Sequence, residues 1–280
     1  MRIVFFLCLV SLSIGACTKK NDSNPSNENQ ETKSYLHLSH TRTAANPAVV
    51  LDIENLDFTD FDMLWLGGDM AQATSMDEET MLYIDSIFDI GSTNTLWALG
   101  NHDYPNLDRI QNFTNRPAYY SFHQNGLTFI VLDTQDNYSK ITGDQKLLFD
   151  SVMDTLENSS HLILLHHKLI WMVDQAELEP QIPAVSNGEF GTCFYCLNAN
   201  NFQSEIYPRL LEAKQNEIEV ICIGGDIGFN TNEFEFTTAD SIHFLASGLS
   251  SNADENQAIL FQHNLETKSL TWEFQRLSDF

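Results

Sequence analysis

From residue 35 onward the chain is a succession of short apolar runs, each closed by glycine or by a knot of polar side chains. The runs have strand length, and stretches with helical spacing separate several of them, which is the rhythm of an α/β chain. The pattern predicts strands over 35–39, 62–67, 95–99, 161–165 and 218–223. It predicts a first helix over 47–56 and a second beginning at Ser75, with Asp77, Glu78 and Glu79 in a first turn where the dipole favours anions. A third helix, over 144–156, has Thr142 as its cap. Residues 119–122 and 127–132 flank Asn125-Gly126, a pair that favours a tight hairpin. Residues 170–200 read as a long irregular insertion, and strands over 242–246, 258–262 and 269–274 close the chain. The expected architecture is a β-rich α/β sandwich, two sheets face to face with helices outside.

The strand ends carry the chemistry. His40-Thr41-Arg42, Gly67-Gly68-Asp69, Gly100-Asn101-His102-Asp103, His166-His167-Lys168 and Gly224-Gly225-Asp226-Ile227-Gly228 each follow an apolar run. Amide, imidazole and carboxylate side chains are poor core material, and α/β folds place ligands beyond the carboxyl ends of their strands. Trp65, Trp97 and Cys222 lie within apolar runs and read as core, while His37, His243 and His263 read as hydrogen-bonded structural histidines.

Composition narrows the setting. The 280 residues can bury a full α/β core, and the formal net charge of −25 offers no basic surface for nucleic acid. Arg2 and the apolar residues 3–14 form a targeting segment too short to span a bilayer, and Ile14-Gly15-Ala16-Cys17 resembles a bacterial lipobox. Residues 1–17 are therefore expected to be a lipoprotein signal peptide and residues 18–33 a polar tether. Residues 34–280 are expected to form one domain, exported and anchored through Cys17 on a periplasmic or cell-surface face. Cys193-Phe194-Tyr195-Cys196 lacks the second pair that a zinc ribbon needs, so outside the reducing cytosol a short-range disulfide is expected, with two free thiols as the alternative.

With these blocks the chain resembles the calcineurin-like metallophosphoesterases, whose signatures are Asp-x-His, Gly-Asp, Gly-Asn-His-Asp or Glu, a lone strand-end His and Gly-His-x-His. Gly68-Asp69, residues 100–103 and the 166–167 pair match, and the 119–134 hairpin segment and Gln145 follow the family pattern. The first and last blocks differ, reading His40-Thr41-Arg42 and Gly225-Asp226-Ile227-Gly228. The resemblance implies a four-layer αββα sandwich of two mixed sheets flanked by helices.

It also implies a metal-dependent reaction on a phosphorylated small molecule or other phosphoester. One cation, zinc, manganese or iron, would be held by Asp69, Asn101, His166 (alternatively His167) and Asp226. The other cation would keep only His40 beside the shared Asp69, because Gly228 has no ligand atom and arginine stays protonated. Arg42 then stands in for that cation, or simply pairs with Asp69 in a dead site. His102 is the implied general acid, since imidazole titrates near neutrality, with Asp103 orienting it or supporting the ligands from behind, and Trp171 could line the cleft. Two functional classes follow: a phosphoesterase with one bound divalent metal, or a pseudoenzyme lipoprotein that holds an anionic or phosphorylated ligand without cleaving it. A surface lipoprotein holding a protein partner is a third.

Overall fold

Both sheets are present in the computed structural model, which describes residues 31–156, 158–250 and 255–280. The signal segment, the lipobox Cys17 and the tether up to residue 30 lie outside the described residues. The first sheet joins β1 (Thr32–Leu38), β2 (Met63–Leu66) and β3 (Thr95–Trp97) to the late strands β10 (Gln257–Asn264) and β11 (Ser269–Arg276), in the order β11-β10-β1-β2-β3. The second contains β4 (Tyr120–Gln124), β5 (Leu127–Val131), β6 (His161–Leu165), β7 (Glu219–Gly224), β8 (Glu233–Thr237) and β9 (Ile242–Ser247), in the order β4-β5-β6-β7-β9-β8. In the second sheet parallel pairs form the centre and antiparallel pairs both margins, whereas in the first β1-β2-β3 are parallel and β10 and β11 add antiparallel pairs on the β1 side.

Alternation sorts each central strand between two cores. Tyr35, Met63, Trp65, Phe129, Ile163, Leu165, Ile221 and Ile223 fill the space between the sheets, and the Trp65 ring meets Tyr35, Phe129 and Phe261 at centroid distances of 5.2, 4.9 and 4.5 Å. The opposite parity packs against helices: α1 (Leu51–Glu54), α2 (Glu78–Phe88) and α3 (Leu107–Thr114) cover the first sheet. α4 (Gly143–Met153), α5 (Ile182–Val185) and α6 (Tyr207–Gln215) cover the second. Burial on both faces is why the central strands read as unbroken apolar runs.

Several local expectations shift. The helix expected over 47–56 shortens to α1, because the preceding residues run extended: Arg42 bridges Val49 and Val50 N–H donates to the Thr41 carbonyl at 2.8 Å. Asp77 is the cap of α2, accepting from Thr80 N–H, and Ser75 instead donates to the Asp103 carbonyl. Thr142 occupies the cap position of α4 without a side-chain bond. β1 begins at Thr32, inside the expected tether. β8 and α6 were not expected, although Glu-Phe-Glu-Phe does alternate with the period of a half-exposed edge strand. Trp171 does not line a cleft; it is fully buried, stacked against Phe234 and Phe244.

Two devices bring the strand ends together. Gly67 and Gly225 let the sheets touch at their carboxyl ends: a Cβ on Gly225 would lie 2.1 Å from the Gly67 carbonyl oxygen, so no larger residue fits without parting the backbones. The fully buried Asp103 carboxylate then ties the ends of β2 and β3. It accepts from the backbone N–H of Gly100 and Asp69 at 2.8 Å and of Met70 at 3.1 Å, and from the Thr74 hydroxyl.

Asp103→Ala would strand those buried donors, so we expect a loss on the order of 3 kcal/mol or more, read as a lowered urea midpoint. The interior histidines predict acid sensitivity. Burial, with a smaller contribution from His166, holds His37 at about 3, and burial with His263 holds His161 at about 4. The unfolded chain takes up these protons near pH 6.5 while the folded chain does not, so stability falls as pH drops from about 6.5 towards 4. Thermal unfolding of the full-length protein across that range should show the melting temperature falling throughout.

Candidate active site and metal centre

The closed-up strand ends frame one cavity of about 270 Å3, lined by His40, Arg42, Asp69, Asn101, His102 and Asp226, with Asn187, Gly188, Tyr195 and Phe229 completing it. The contact between Gly67 and Gly225 brings Asp69 and Asp226 to a single imidazole. His167 Nε2 lies 3.7 Å from an oxygen of each. Its other nitrogen, Nδ1, is 2.7 Å from the Gly67 carbonyl oxygen, which can only accept, so Nδ1 carries the hydrogen. In the neutral ring Nε2 therefore offers a lone pair towards two carboxylates. Acceptors that converge in this way need a proton or a cation between them: a second ring proton, a proton on Asp226, whose pKa burial raises, or a metal ion.

The sequence reading favoured His166, and the geometry corrects it. His166 Nδ1 donates to the Lys168 carbonyl at 2.8 Å, and the ring neither lines the cavity nor pairs with a carboxylate. His167 keeps the parity of Ile163 and Leu165, which face the first sheet. Burial pushes His166 down to about 3, whereas for His167 the Asp69 and Asp226 carboxylates outweigh burial and raise its affinity for a proton.

Asp69 is the centre of the charge balance. Burial alone would raise its pKa; His167, His40 and His102, with the His102 N–H bonded to Oδ1 at 2.9 Å, hold it below the ordinary carboxylate value. On its other side Arg42 Nε stands 3.6 Å from Oδ2 and His40 Nε2 stands 3.9 Å away. Arg42 and His40 thus both face Asp69 Oδ2. Arg42 Nη1 donates to Gln72 Oε1 at 2.7 Å, and its Nε, buried, makes no hydrogen bond. His40 lies on this arginine side, its Nδ1 donating to the Leu249 carbonyl, and is not one of the three converging acceptors. Gly228 has φ +130°, and a Cβ there would meet the Leu249 carbonyl oxygen at 2.3 Å. The backbone as folded therefore admits no ligand-bearing side chain at that position.

His102 reaches the cavity with a defined tautomer. Its Nδ1 is 2.7 Å from the Gln72 carbonyl oxygen and so donates, leaving Nε2 as the working nitrogen. Asp103 does not touch that ring or the cavity; its carboxylate is consumed by the backbone of the Gly-Asp loop, a positioning role that corrects the catalytic one. Asn101 lines the cavity at the first position of the 3-10 turn Asn101–Asn106.

Among the described residues no three His, Cys, Asp or Glu side chains already close into a metal-holding group. Asp69, His167 and Asp226 come nearest. The buried His167 Nε2 and Asp226 Oδ2 have no hydrogen-bond partner, which fits a set of donors for a cation rather than a finished polar network. Asn101 lines the same cavity.

The insertion supplies residues that no motif announced. Cys193 and Cys196 form a disulfide, and Lys168 Nζ donates to the Phe194 carbonyl at 2.8 Å, fastening the loop that carries Tyr195. Asn187 receives the Phe229 N–H at 2.8 Å, joining the insertion to the loop after β7. Gln72, which holds both Arg42 and His102, lies in a stretch with no motif; its only signal was closeness to Asp69.

No curated protein matches the chain in sequence. Among solved structures, a dimetal phosphatase from Danio rerio aligns over 82% of this chain and 95% of its own, at 9% identity and a TM-score of 0.50. A 5'-nucleotidase precursor from Thermus thermophilus aligns over 88% of this chain and 54% of its own, at 11% identity and a TM-score of 0.43. The family model for calcineurin-like phosphoesterases matches residues 39–226. That span is the greater part of the chain and runs from the end of β1 to Asp226, and the chain belongs to the calcineurin-like phosphoesterase family.

Proposed function

We propose that this chain is an exported, lipid-anchored phosphoesterase that uses one divalent cation, held by Asp69, Asn101, His167 and Asp226, with Arg42 in the place of a second. The family acts on phosphoesters and typically depends on divalent metal. The observation that carries the single-cation reading is the convergence of Asp69, His167 and Asp226 on one side of Asp69 while Arg42 stands on the other. A divalent cation bound there supplies an activated water and draws charge from the phosphoryl oxygens.

The chain's own residues do the rest. Arg42 balances Asp69 and presents its remaining guanidinium hydrogens to a phosphoryl oxygen, a pairing that suits a planar, permanently charged group. His102, fixed through Nδ1, carries a proton on Nε2 to the leaving oxygen when the ring is protonated. The peptide N–H of His102 and the Asp103 brace keep Asp69 still while charge builds. Export rests on residues 1–17, and the Cys193–Cys196 disulfide supports it, because such bonds persist outside reducing compartments.

Elemental analysis of the purified full-length protein should find about one ion per chain, lost in Asp69→Ala and His167→Ala and kept in His166→Asn. Arg42→Ala should keep the ion and lower kcat/KM on the order of 100-fold. An intact wild type that binds phosphate analogues but neither holds metal nor turns over any phosphoester would establish the non-catalytic binding protein instead. Replacing Cys17 with serine should move the protein from the membrane to the soluble fraction.

A further inference from the structure

Two aromatic rings at the mouth of the cavity have no part in the mechanism. Tyr195 and Phe229 are 62% and 64% exposed, yet both line the same cavity as Asp69, Asn101 and His102. Their surroundings hold them there. Tyr195 sits between Phe194 and Cys196, and both flanks are pinned: by the disulfide, by Lys168 on the Phe194 carbonyl, and by the Phe194 ring set edge-on to Tyr104 at 5.5 Å. Asn198 adds a bond to the Cys193 carbonyl at 3.0 Å. Within the described residues no hydrogen bond or ring contact engages the Tyr195 side chain itself. Phe229 is tied to the anion-facing side: the Arg42 guanidinium lies 5.9 Å from its centroid and His40 meets it edge-on at 4.8 Å. An oxyanion held by Arg42 therefore puts the organic part of its ester beside Phe229, with Tyr195 on the same rim.

Charge narrows what that organic part can be. Among the described residues Arg42 is the one lysine or arginine lining the cavity, against Asp69 and Asp226, in a chain of net charge −25. One phosphoryl group is matched; further anionic groups would be repelled. Resting on the phosphoesterase reading of this site, we propose that Tyr195 and Phe229 form a specificity wall that selects phosphoric esters of uncharged aromatic alcohols, and that the Cys193–Cys196 bridge serves to present Tyr195.

The test uses the full-length protein with manganese supplied, and calorimetry of two non-hydrolysable probes sharing one head group, phenylphosphonate and methylphosphonate. Phenylphosphonate should bind about tenfold more tightly, in line with one aromatic contact and its buried area. The preference should vanish in the Tyr195→Ala, Phe229→Ala double variant, persist in Tyr195→Phe, and weaken when Cys193 and Cys196 are both changed to serine. Equal affinities in the wild type, or a preference that survives loss of both rings, would overturn the wall. Hydrolysis of phenyl phosphate and glycerol phosphate separates the two ideas. A phosphonate preference without cleavage of either ester leaves the wall standing and removes the phosphoesterase, whereas cleavage of both at equal kcat/KM does the reverse. Absence of binding by either phosphonate would overturn the wall as well.

Discussion

A carboxylate taken out of water has to be answered by positive charge or hydrogen bonds, and the site is built around the one at Asp69. Its side chain is only 2% exposed, and its answers come from separate strand ends: His167 after β6, Arg42 and His40 after β1, and the His102 peptide after β3. Both Asp69 and His40 adopt the left-handed backbone region, at φ +58° and +53°, which costs on the order of 1–3 kcal/mol each for residues of their kind. Such strain persists only where the surroundings over-determine it. Here the Asp103 carboxylate grips the Asp69 peptide, and the His40 N–H donates to the Gly68 carbonyl at 2.9 Å.

The same balance explains why the altered blocks are mutually consistent rather than scattered losses. Arginine at 42 brings a fixed charge to the side of Asp69 where the family pattern has a ligand. Gly228, close against Leu249, leaves no space there for another ligand side chain. On the opposite side, aspartate at 226 keeps a hard oxygen donor next to His167. One half of the site is thus organised by a guanidinium and the other by convergent acceptors.

The insertion between β6 and β7 links this charge arrangement to substrate shape. It is fastened by a disulfide and by Lys168, whose pKa burial has pushed down to about 8, and neither tie lines the cavity. A rigid rim exposes rings in water, which a folded chain tolerates most readily where a ligand will cover them.

The sequence by itself determined that there are two sheets, which runs are strands apart from β8, and that His40, Arg42, Asp69, Asn101, His102 and Asp226 stand at their ends, because alternation, glycine and polar knots are local signals. It also announced the Asn125-Gly126 hairpin, whose residues both take positive φ. The choice between His166 and His167 lay beyond it. The run from His161 to Leu165 is apolar at both parities, being buried on both faces, so nothing local says which parity faces the other sheet. Asp103 posed the same difficulty: beside His102 in sequence it reads as a catalytic partner, and only the fold shows that the Asp69 loop's N–H groups claim its oxygens. Gln72, Tyr195 and Phe229 take their places in the site through contacts across long sequence separations, even where, as for Gln72 and Phe229, a block lies close by in the chain. Such contacts are set when two sheets close on a pair of glycines, and that closure is a property of the tertiary structure alone.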